Sequence, residues 1–218
     1  MPAASPSSAN ADTRPRVEFW YEFASTYSYL SAMRIEDAAR EAGVEVVWRP
    51  FLLGPVFLAL GWNDSPFNIY PPKGRYMWRD LARLAGKYGL PFRLPSRFPR
   101  SGLLAARVAL VGVEEGWVAP FSRAVMRANF AEDRDIADPV VIGELLAALG
   151  LPVDTMLARA QAPENKLALR AQTERAAELG LFGAPSFRVG EELFWGNDRL
   201  ADALEWAVMG GTSPAGDE

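Results

Sequence analysis

The fold is decided by the stretch Val17-Glu18-Phe19-Trp20-Tyr21-Glu22-Phe23-Ala24-Ser25-Thr26-Tyr27-Ser28, near the start of the chain. The segment Val17–Phe23 mixes β-branched and aromatic residues, which is typical of a buried strand. Ser25 or Thr26 is expected to cap a helix that follows at once and ends at Gly43. A strand that turns directly into a helix is therefore the first predicted unit.

Strand character returns at three further places. Val44–Arg49 follows the first helix and stops at Pro50, and a strand, a helix and a strand of these lengths predict a parallel crossover. Near the other end, Ser186–Val189 and Glu192–Trp195 flank the hairpin-like turn Gly190-Glu191. A last helix follows the second of these strands. The two ends of the chain are therefore predicted to form βαβ followed by ββα.

The middle of the chain is predicted to be helical. Several of its helices carry Pro in their first turn, as helix starts prefer. The predicted helices are Gly74–Tyr88, Gly102–Glu115, Trp117–Phe130, Pro139–Leu149, Pro152–Ala160 and Pro163–Leu179. An all-helical block between strands predicts an α/β protein, a thioredoxin-like core split by an all-helical insertion domain. The predicted boundaries are a disordered arm at 1–16, the core at 17–55 and 180–209, the insertion at 56–179 and a flexible tail at 210–218.

The amino-acid composition limits the kinds of site and partner that this chain can have. A thioredoxin-like fold keeps a Cys-x-x-Cys pair at the corner occupied here by Ser25-Thr26-Tyr27-Ser28, yet the 218-residue chain has no cysteine and no histidine. The thiol must come from outside the chain, which points to bound glutathione. The usual zinc ligands are absent, so we expect no metal site. A net charge of −4 argues against nucleic acid as a partner. No secretory signal or membrane span is evident, so we expect a cytoplasmic protein.

Several blocks along the chain resemble one known family, the 2-hydroxychromene-2-carboxylate isomerases, which are related to kappa-class glutathione transferases. The blocks occur in family order between about Val17 and Val208. They are Phe19-Trp20-Tyr21-Glu22-Phe23-Ala24-Ser25-Thr26-Tyr27-Ser28-Tyr29-Leu30, Trp48-Arg49-Pro50-Phe51-Leu52-Leu53-Gly54, Gly61-Trp62-Asn63-Asp64-Ser65-Pro66-Phe67-Asn68, Lys73-Gly74-Arg75-Tyr76-Met77, Phe182-Gly183-Ala184-Pro185-Ser186-Phe187 and Phe194-Trp195-Gly196-Asn197-Asp198-Arg199-Leu200. The resemblance implies a DsbA-like thioredoxin core with a helical insertion.

The resemblance also implies a glutathione site. Ser25 matches the catalytic Ser that faces the glutathione sulfur, and Thr26 and Tyr27 lie beside it at the same corner. The remaining implied contacts to glutathione come from Ala184 and Pro185, joined by a cis bond, from Asn197 and Asp198 at the γ-glutamyl end, and from Asn63, with Asn68 as a rival.

The implied reaction is isomerisation of a 2-hydroxychromene-2-carboxylate in aromatic breakdown, without net redox change. A planar aromatic acid requires apolar walls and a cation. The candidate walls are Trp62, Phe67, Tyr70, Tyr76 and Trp78, and the candidate cations are Arg49, Lys73 and Arg75. A kappa-type transferase, a non-catalytic binding protein on the same scaffold and an isomerase for another substrate remain alternatives. The family resemblance further implies a homodimer.

Overall fold

A four-stranded mixed sheet forms the centre of the computed structural model, which describes residues 14–210. In the sheet order β2-β1-β3-β4, β1 is parallel to β2 and antiparallel to β3, and β3 is antiparallel to β4. The strands are β1 Arg16–Tyr21, β2 Glu45–Pro50, β3 Ser186–Val189 and β4 Glu192–Trp195. The predicted crossover and hairpin are confirmed. β1 begins one residue inside the segment predicted as an arm, and residues 1–13 and 211–218 lie outside the described part.

β1 is buried on both faces because it is a central strand. Alternate side chains of a strand point to opposite faces. Phe19 stacks on Phe187 of β3 and meets the edge of Trp48 of β2, with ring centroids 5.5 and 5.0 Å away. Trp20 points the other way and packs edge-on against Phe51, 6.0 Å away. The strand therefore joins two apolar clusters, and its position in the sheet is fixed from both sides.

The prediction of one continuous helix after the corner is wrong, because the structure has two helices there, α1 Thr26–Ala32 and α2 Ile35–Ala42. At the break the backbone N–H of Arg34 bonds to the carbonyl of Ser31, one residue short of the α-helical partner. The Arg34 guanidinium donates instead to the Leu30 carbonyl, at 3.0 Å, and stacks over the Tyr88 ring at 3.8 Å. These contacts made by the Arg34 side chain accompany the interruption of the helix. As predicted, α2 ends at Gly43, which is in the left-handed conformation.

The remaining helices lie between β2 and β3, apart from the last. They are α3 Leu53–Ala59, α4 Pro66–Ile69, α5 Pro71–Lys87, α6 Leu103–Glu115, α7 Val118–Phe130, α8 Pro139–Ala148, α9 Val153–Gln161 and α10 Pro163–Glu178, followed after β4 by a short 3-10 helix, Asn197–Arg199, and α11 Leu200–Val208. The predicted helices from α5 to α10 agree with these bounds to within three residues. The sequence did not predict α3 or α4. Within residues 14–210, no helix is long and apolar enough to cross a bilayer.

The helical block is packed directly against the corner after β1. Tyr21 at the end of β1 shares a 2.6 Å hydrogen bond between its hydroxyl and that of Ser122 in α7. Asn129, also in α7, donates its amide to the carbonyl of Phe23 at 3.1 Å, and Arg100 in turn donates to the Asn129 side chain at 3.0 Å. The division into a core and an insertion domain stays a prediction, but these buried bonds show that the block supports the corner.

Candidate functional site

The corner between β1 and α1 holds Ser25 in the cap position predicted for it. Ser25 has extended backbone angles, with φ −78° and ψ 117°, and precedes the first residue of α1. Its Oγ accepts a hydrogen bond from the backbone N–H of Ser28 at 3.2 Å, which satisfies a donor in the first turn. The same hydroxyl donates to the carbonyl oxygen of Ala184 at 2.8 Å. Ser25 thus links the helix start to a loop 159 residues away in sequence.

That loop leads into β3 and contains Ala184 and Pro185, whose peptide bond is cis, as the family resemblance implied. Its polar groups are engaged with their neighbours. The Ser186 hydroxyl donates to the Gly183 carbonyl at 2.8 Å, and the backbone N–H of Gly196 donates to the Pro185 carbonyl at 3.0 Å. The structure therefore brings Ser25 and Ala184, predicted from distant segments, into direct contact.

Glu22 lies beside this corner, and no role for it was predicted from the sequence. Its Oε2 accepts a hydrogen bond from the backbone N–H of Ala24 at 2.9 Å. Its other oxygen lies against Gly102, so closely that a Cβ at that position would be 2.7 Å from Oε1. Burial raises the pKa of Glu22 to about 8, although amide hydrogen bonds from Ala24 and Ser25 act in the opposite direction. The signal in the sequence was an acidic residue within the predicted buried strand, three positions before Ser25.

Thr26 and Tyr27 follow Ser25 in α1, but their side chains face the protein interior and α5. Thr26 is buried. The Tyr27 hydroxyl donates to the carboxylate of Asp80 in α5 at 3.0 Å, and its ring lies 6.4 Å from that of Phe67. Burial, together with the Asp80 carboxylate, raises the pKa of the Tyr27 hydroxyl. A direct contact of either side chain with glutathione stays a prediction.

Asn197 and Asp198 occupy different environments in the 3-10 helix. Asn197 is buried, and its side-chain oxygen accepts hydrogen bonds from Arg34 at 2.6 Å and from the Ser31 hydroxyl at 3.3 Å. This side chain ties the 3-10 helix to the first helical segment of the chain. Asp198 is exposed and pairs with Arg199 at 3.1 Å. The Asp198 carboxylate is thus in contact with solvent, and its binding of the γ-glutamyl end of glutathione stays a prediction.

Asn63 and Asn68 lie in the segment between α3 and α5, and both are exposed. The Asn68 amide donates to both oxygens of the Asp64 carboxylate, at 3.1 and 3.2 Å. Asn68 is therefore engaged with Asp64, whereas the Asn63 side chain makes no hydrogen bond within residues 14–210. A contact of either side chain with glutathione stays a prediction. Among the described residues, no hydrogen bond joins either asparagine to Ser25 or Ala184.

The predicted aromatic walls and cations are dispersed. The partly buried Trp78 packs edge-on against Phe98, with ring centroids 4.8 Å apart. Arg49 is paired with Glu18 at 3.0 Å on the sheet. Lys73 remains near an aromatic ring, with its ammonium 5.9 Å from the centre of Phe67. Within residues 14–210, no hydrogen bond or ring contact joins Trp62, Tyr70 or Arg75 to the corner, whereas Tyr76 interacts electrostatically with the Tyr27 hydroxyl.

An aromatic pair that the sequence did not single out lies beside the Ala184 loop. Phe182 and Trp195 meet edge to face with centroids 4.9 Å apart, and both are about half exposed. The Trp195 indole covers Gly183 so closely that a Cβ there would lie 2.3 Å from the indole nitrogen. Gly183 therefore permits an exposed aromatic surface next to the residue that Ser25 contacts.

Comparison with known proteins places these features in a family. Residues 16–206 match the family model described as the DSBA-like thioredoxin domain. The 2-hydroxychromene-2-carboxylate isomerase of Sphingobium xenophagum is 30% identical over 190 residues, which cover 87% of this chain and 95% of that protein. Glutathione S-transferase kappa 1 of Homo sapiens is 26% identical over 216 residues, which cover 91% and 95%. A solved structure of a 2-hydroxychromene-2-carboxylate isomerase superposes with a TM-score of 0.77 at 28% identity, covering 90% of this chain and 95% of the other.

Proposed function

This chain belongs to the 2-hydroxychromene-2-carboxylate isomerase family of DsbA-like thioredoxin proteins, and from that premise we propose that it is a glutathione-dependent isomerase. The proposed substrate is 2-hydroxychromene-2-carboxylate or a related aromatic acid. One observation carries the proposal: the Ser25 hydroxyl lies 2.8 Å from the Ala184 carbonyl in a chain without cysteine. A hydroxyl donor beside a backbone acceptor suits the thiol and the amide of a cysteinyl ligand, so the residues present fit glutathione.

Ser25 and the start of α1 would favour the charged form of the sulfur. A hydroxyl can donate a hydrogen bond to an anion, and the positive end of a helix dipole acts in the same direction. A thiol with a pKa of about 8.5 is mostly protonated at neutral pH, and each unit by which a site lowers that pKa corresponds to about 1.4 kcal/mol. Stabilising the thiolate is therefore the main task proposed for Ser25.

Bound glutathione would supply a nucleophilic thiolate whose reversible addition lets a double bond of the substrate rotate. The chain's own groups would hold the reactants. Asp198 would bind the ligand's ammonium, and the exposed pair Phe182 and Trp195 offers an aromatic face beside the corner. Lys73, close to Phe67, is the candidate partner for the substrate carboxylate. Glutathione would not be consumed, and no electrons would be gained or lost overall.

Calorimetric titration with glutathione, with thiolate absorbance followed in the same samples, tests the central premise. Wild-type protein is expected to bind glutathione and show a thiolate signal, and Ser25→Ala is expected to lose that signal. Ser25→Ala also removes the hydrogen bond to Ser28. Asp138→Ala is the matched control, because it removes the equivalent cap from α8, where Asp138 accepts from Val140 at 2.9 Å. Absence of binding at millimolar glutathione would contradict the proposal and favour a non-catalytic binding protein.

A kappa-type glutathione transferase is the second candidate, favoured by the similarity to human glutathione S-transferase kappa 1. Both activities would use the same thiolate, so the products separate them. Incubation with a chromene carboxylate should yield the ring-opened isomer with glutathione recovered. Incubation with a halonitrobenzene would release a stable conjugate if the protein is a transferase. A homodimer and a location in the cytoplasm, where glutathione is abundant, remain predictions.

A further inference from the structure

The helix α5 carries positive charge along one side. Between residues 71 and 100 the chain has eight Lys and Arg residues and a single acid, Asp80, although the whole chain has a net charge of −4. Four of these cations recur at every fourth residue of α5 and are exposed; they form the α5 stripe, which is Arg75, Arg79, Arg83 and Lys87. The buried residues of α5 are Gly74, Met77, Leu81 and Ala85. At 3.6 residues per turn, the stripe lies on the opposite side of the helix.

The charge of the α5 stripe is mostly not neutralised by the protein. Within residues 14–210, no salt bridge involves Arg75, Arg79 or Lys87, and Arg83 pairs with Asp80 at 3.4 Å. Like charges four residues apart on a helix repel one another and destabilise it. The stripe therefore does not serve the stability of α5, which indicates a role towards something outside the helix.

The stripe is close to the corner because α5 is bonded to α1. The Tyr27 hydroxyl donates to Asp80 at 3.0 Å, and the Tyr29 hydroxyl donates to the carbonyl of Pro91, four residues after the end of α5. Burial is the largest influence on the pKa of the Tyr27 hydroxyl and raises it, whereas the Arg83 guanidinium acts in the opposite direction. A charge of the stripe thus acts on a group only two residues after Ser25.

We propose that the α5 stripe attracts anionic ligands to the corner and so accelerates their binding. This inference rests on the proposed function. Glutathione has two carboxylates and one ammonium at neutral pH, and the proposed substrate has a carboxylate, so both carry net negative charge. A surface of one sign raises the local concentration of oppositely charged molecules without making a bond to them. Such charges change the rate of association and its dependence on salt more than the rate of dissociation. The site would therefore capture anionic molecules faster than neutral ones of the same shape.

Stopped-flow measurement of glutathione binding, followed by protein fluorescence, tests the proposal without turnover. The test variant removes three charges of the stripe and is Arg75→Gln/Arg79→Gln/Lys87→Gln. The control variant removes the same charge near the start of β1, at the other end of that strand from the corner, and is Arg14→Gln/Arg16→Gln/Arg40→Gln. At an ionic strength of about 10 mM, the test variant should associate about 2 to 3 times more slowly than the wild type, with an unchanged dissociation rate. The control should associate at close to the wild-type rate, and in about 0.5 M salt all three proteins should agree.

The glycyl ethyl ester of glutathione is the matched ligand, because it keeps the thiol and the peptide but has no net charge. It should associate equally fast with the wild type and the test variant. An equal loss for the ester and for glutathione, or a loss that persists in high salt, would overturn the inference, since the substitutions would then have altered the site itself. Unchanged glutathione rates in the test variant would also overturn it and leave the proposed function standing. Failure of the wild type to bind glutathione at all would overturn both.

Discussion

Replacing Glu22 with Gln should remove the loss of stability that ionisation of Glu22 causes in this protein at alkaline pH. The Glu22 carboxyl is enclosed between the Ala24 amide and Gly102, and burial raises its pKa from 4.5 to about 8. A pKa that is higher in the folded than in the unfolded protein means that folding favours the protonated acid. The stabilisation is complete below pH 4.5 and is lost as the pH rises towards 8.

The size of the effect follows from the two pKa values. The difference between a pKa of 4.5 and a pKa of about 8 corresponds to a loss of at most about 5 kcal/mol of unfolding free energy at alkaline pH. Gln does not ionise, yet its amide oxygen can still accept from Ala24. Glu22→Gln should therefore be close to wild type in stability at pH 5 and more stable than wild type at pH 8.

Urea unfolding at a series of pH values between 5 and 8 measures this difference. Glu191→Gln provides the matched control, since it removes the same charge from an exposed position in the turn between β3 and β4. The control should follow the wild-type curve. Parallel pH curves for Glu22→Gln and the wild type would refute the reasoning, because they would show that the Glu22 carboxyl titrates alike in the folded and unfolded chains.

Two further substitutions test the contacts that hold residues 22 and 23, just before the corner, against the helical block. Asn129→Ala should lower the unfolding free energy by about 1 to 3 kcal/mol, because it leaves the buried Phe23 carbonyl without its donor and removes one of the acceptors of Arg100. Chemical denaturation measures the change, and a loss below 0.5 kcal/mol would contradict the role given to the Asn129 side chain. Gly102→Ala should lower the unfolding free energy by about 1 to 3 kcal/mol, because the added Cβ would lie 2.7 Å from Glu22 Oε1 and 3.0 Å from the Phe23 Cβ. Thermal unfolding measures the change, and an unchanged midpoint would show that the neighbouring atoms move aside without cost.

Much of the fold follows from local sequence. The strands at 186–189 and 192–195 have the predicted bounds, because alternation and the intervening Gly190-Glu191 turn act over a few residues. Proline at the start of α8 and α10 marked where those helices begin. The family was also identified from sequence, and the comparisons confirm it.

The predictions that failed depended on distant contacts. Nothing local to Arg34 breaks a helix, but its guanidinium is drawn to Tyr88 and Asn197, which are remote in sequence. The segment from 51 to 70 is rich in Pro, Gly and aromatic residues, so no helix was predicted where α3 and α4 form. Propensity is a weak guide where tertiary packing decides the conformation.

The sequence by itself determined that this chain has a strand-to-helix corner with a serine cap, no thiol of its own and a Pro-containing loop far downstream, since residue types and short-range patterns suffice for each. Only the tertiary structure decided which groups the Ser25 hydroxyl contacts. The contact between Ser25 and Ala184 joins residues 159 positions apart, and burial around Glu22 depends on Gly102 from another helix start. Hydrogen-bond partners and the desolvation that shifts a pKa depend on three-dimensional surroundings, which local sequence does not specify.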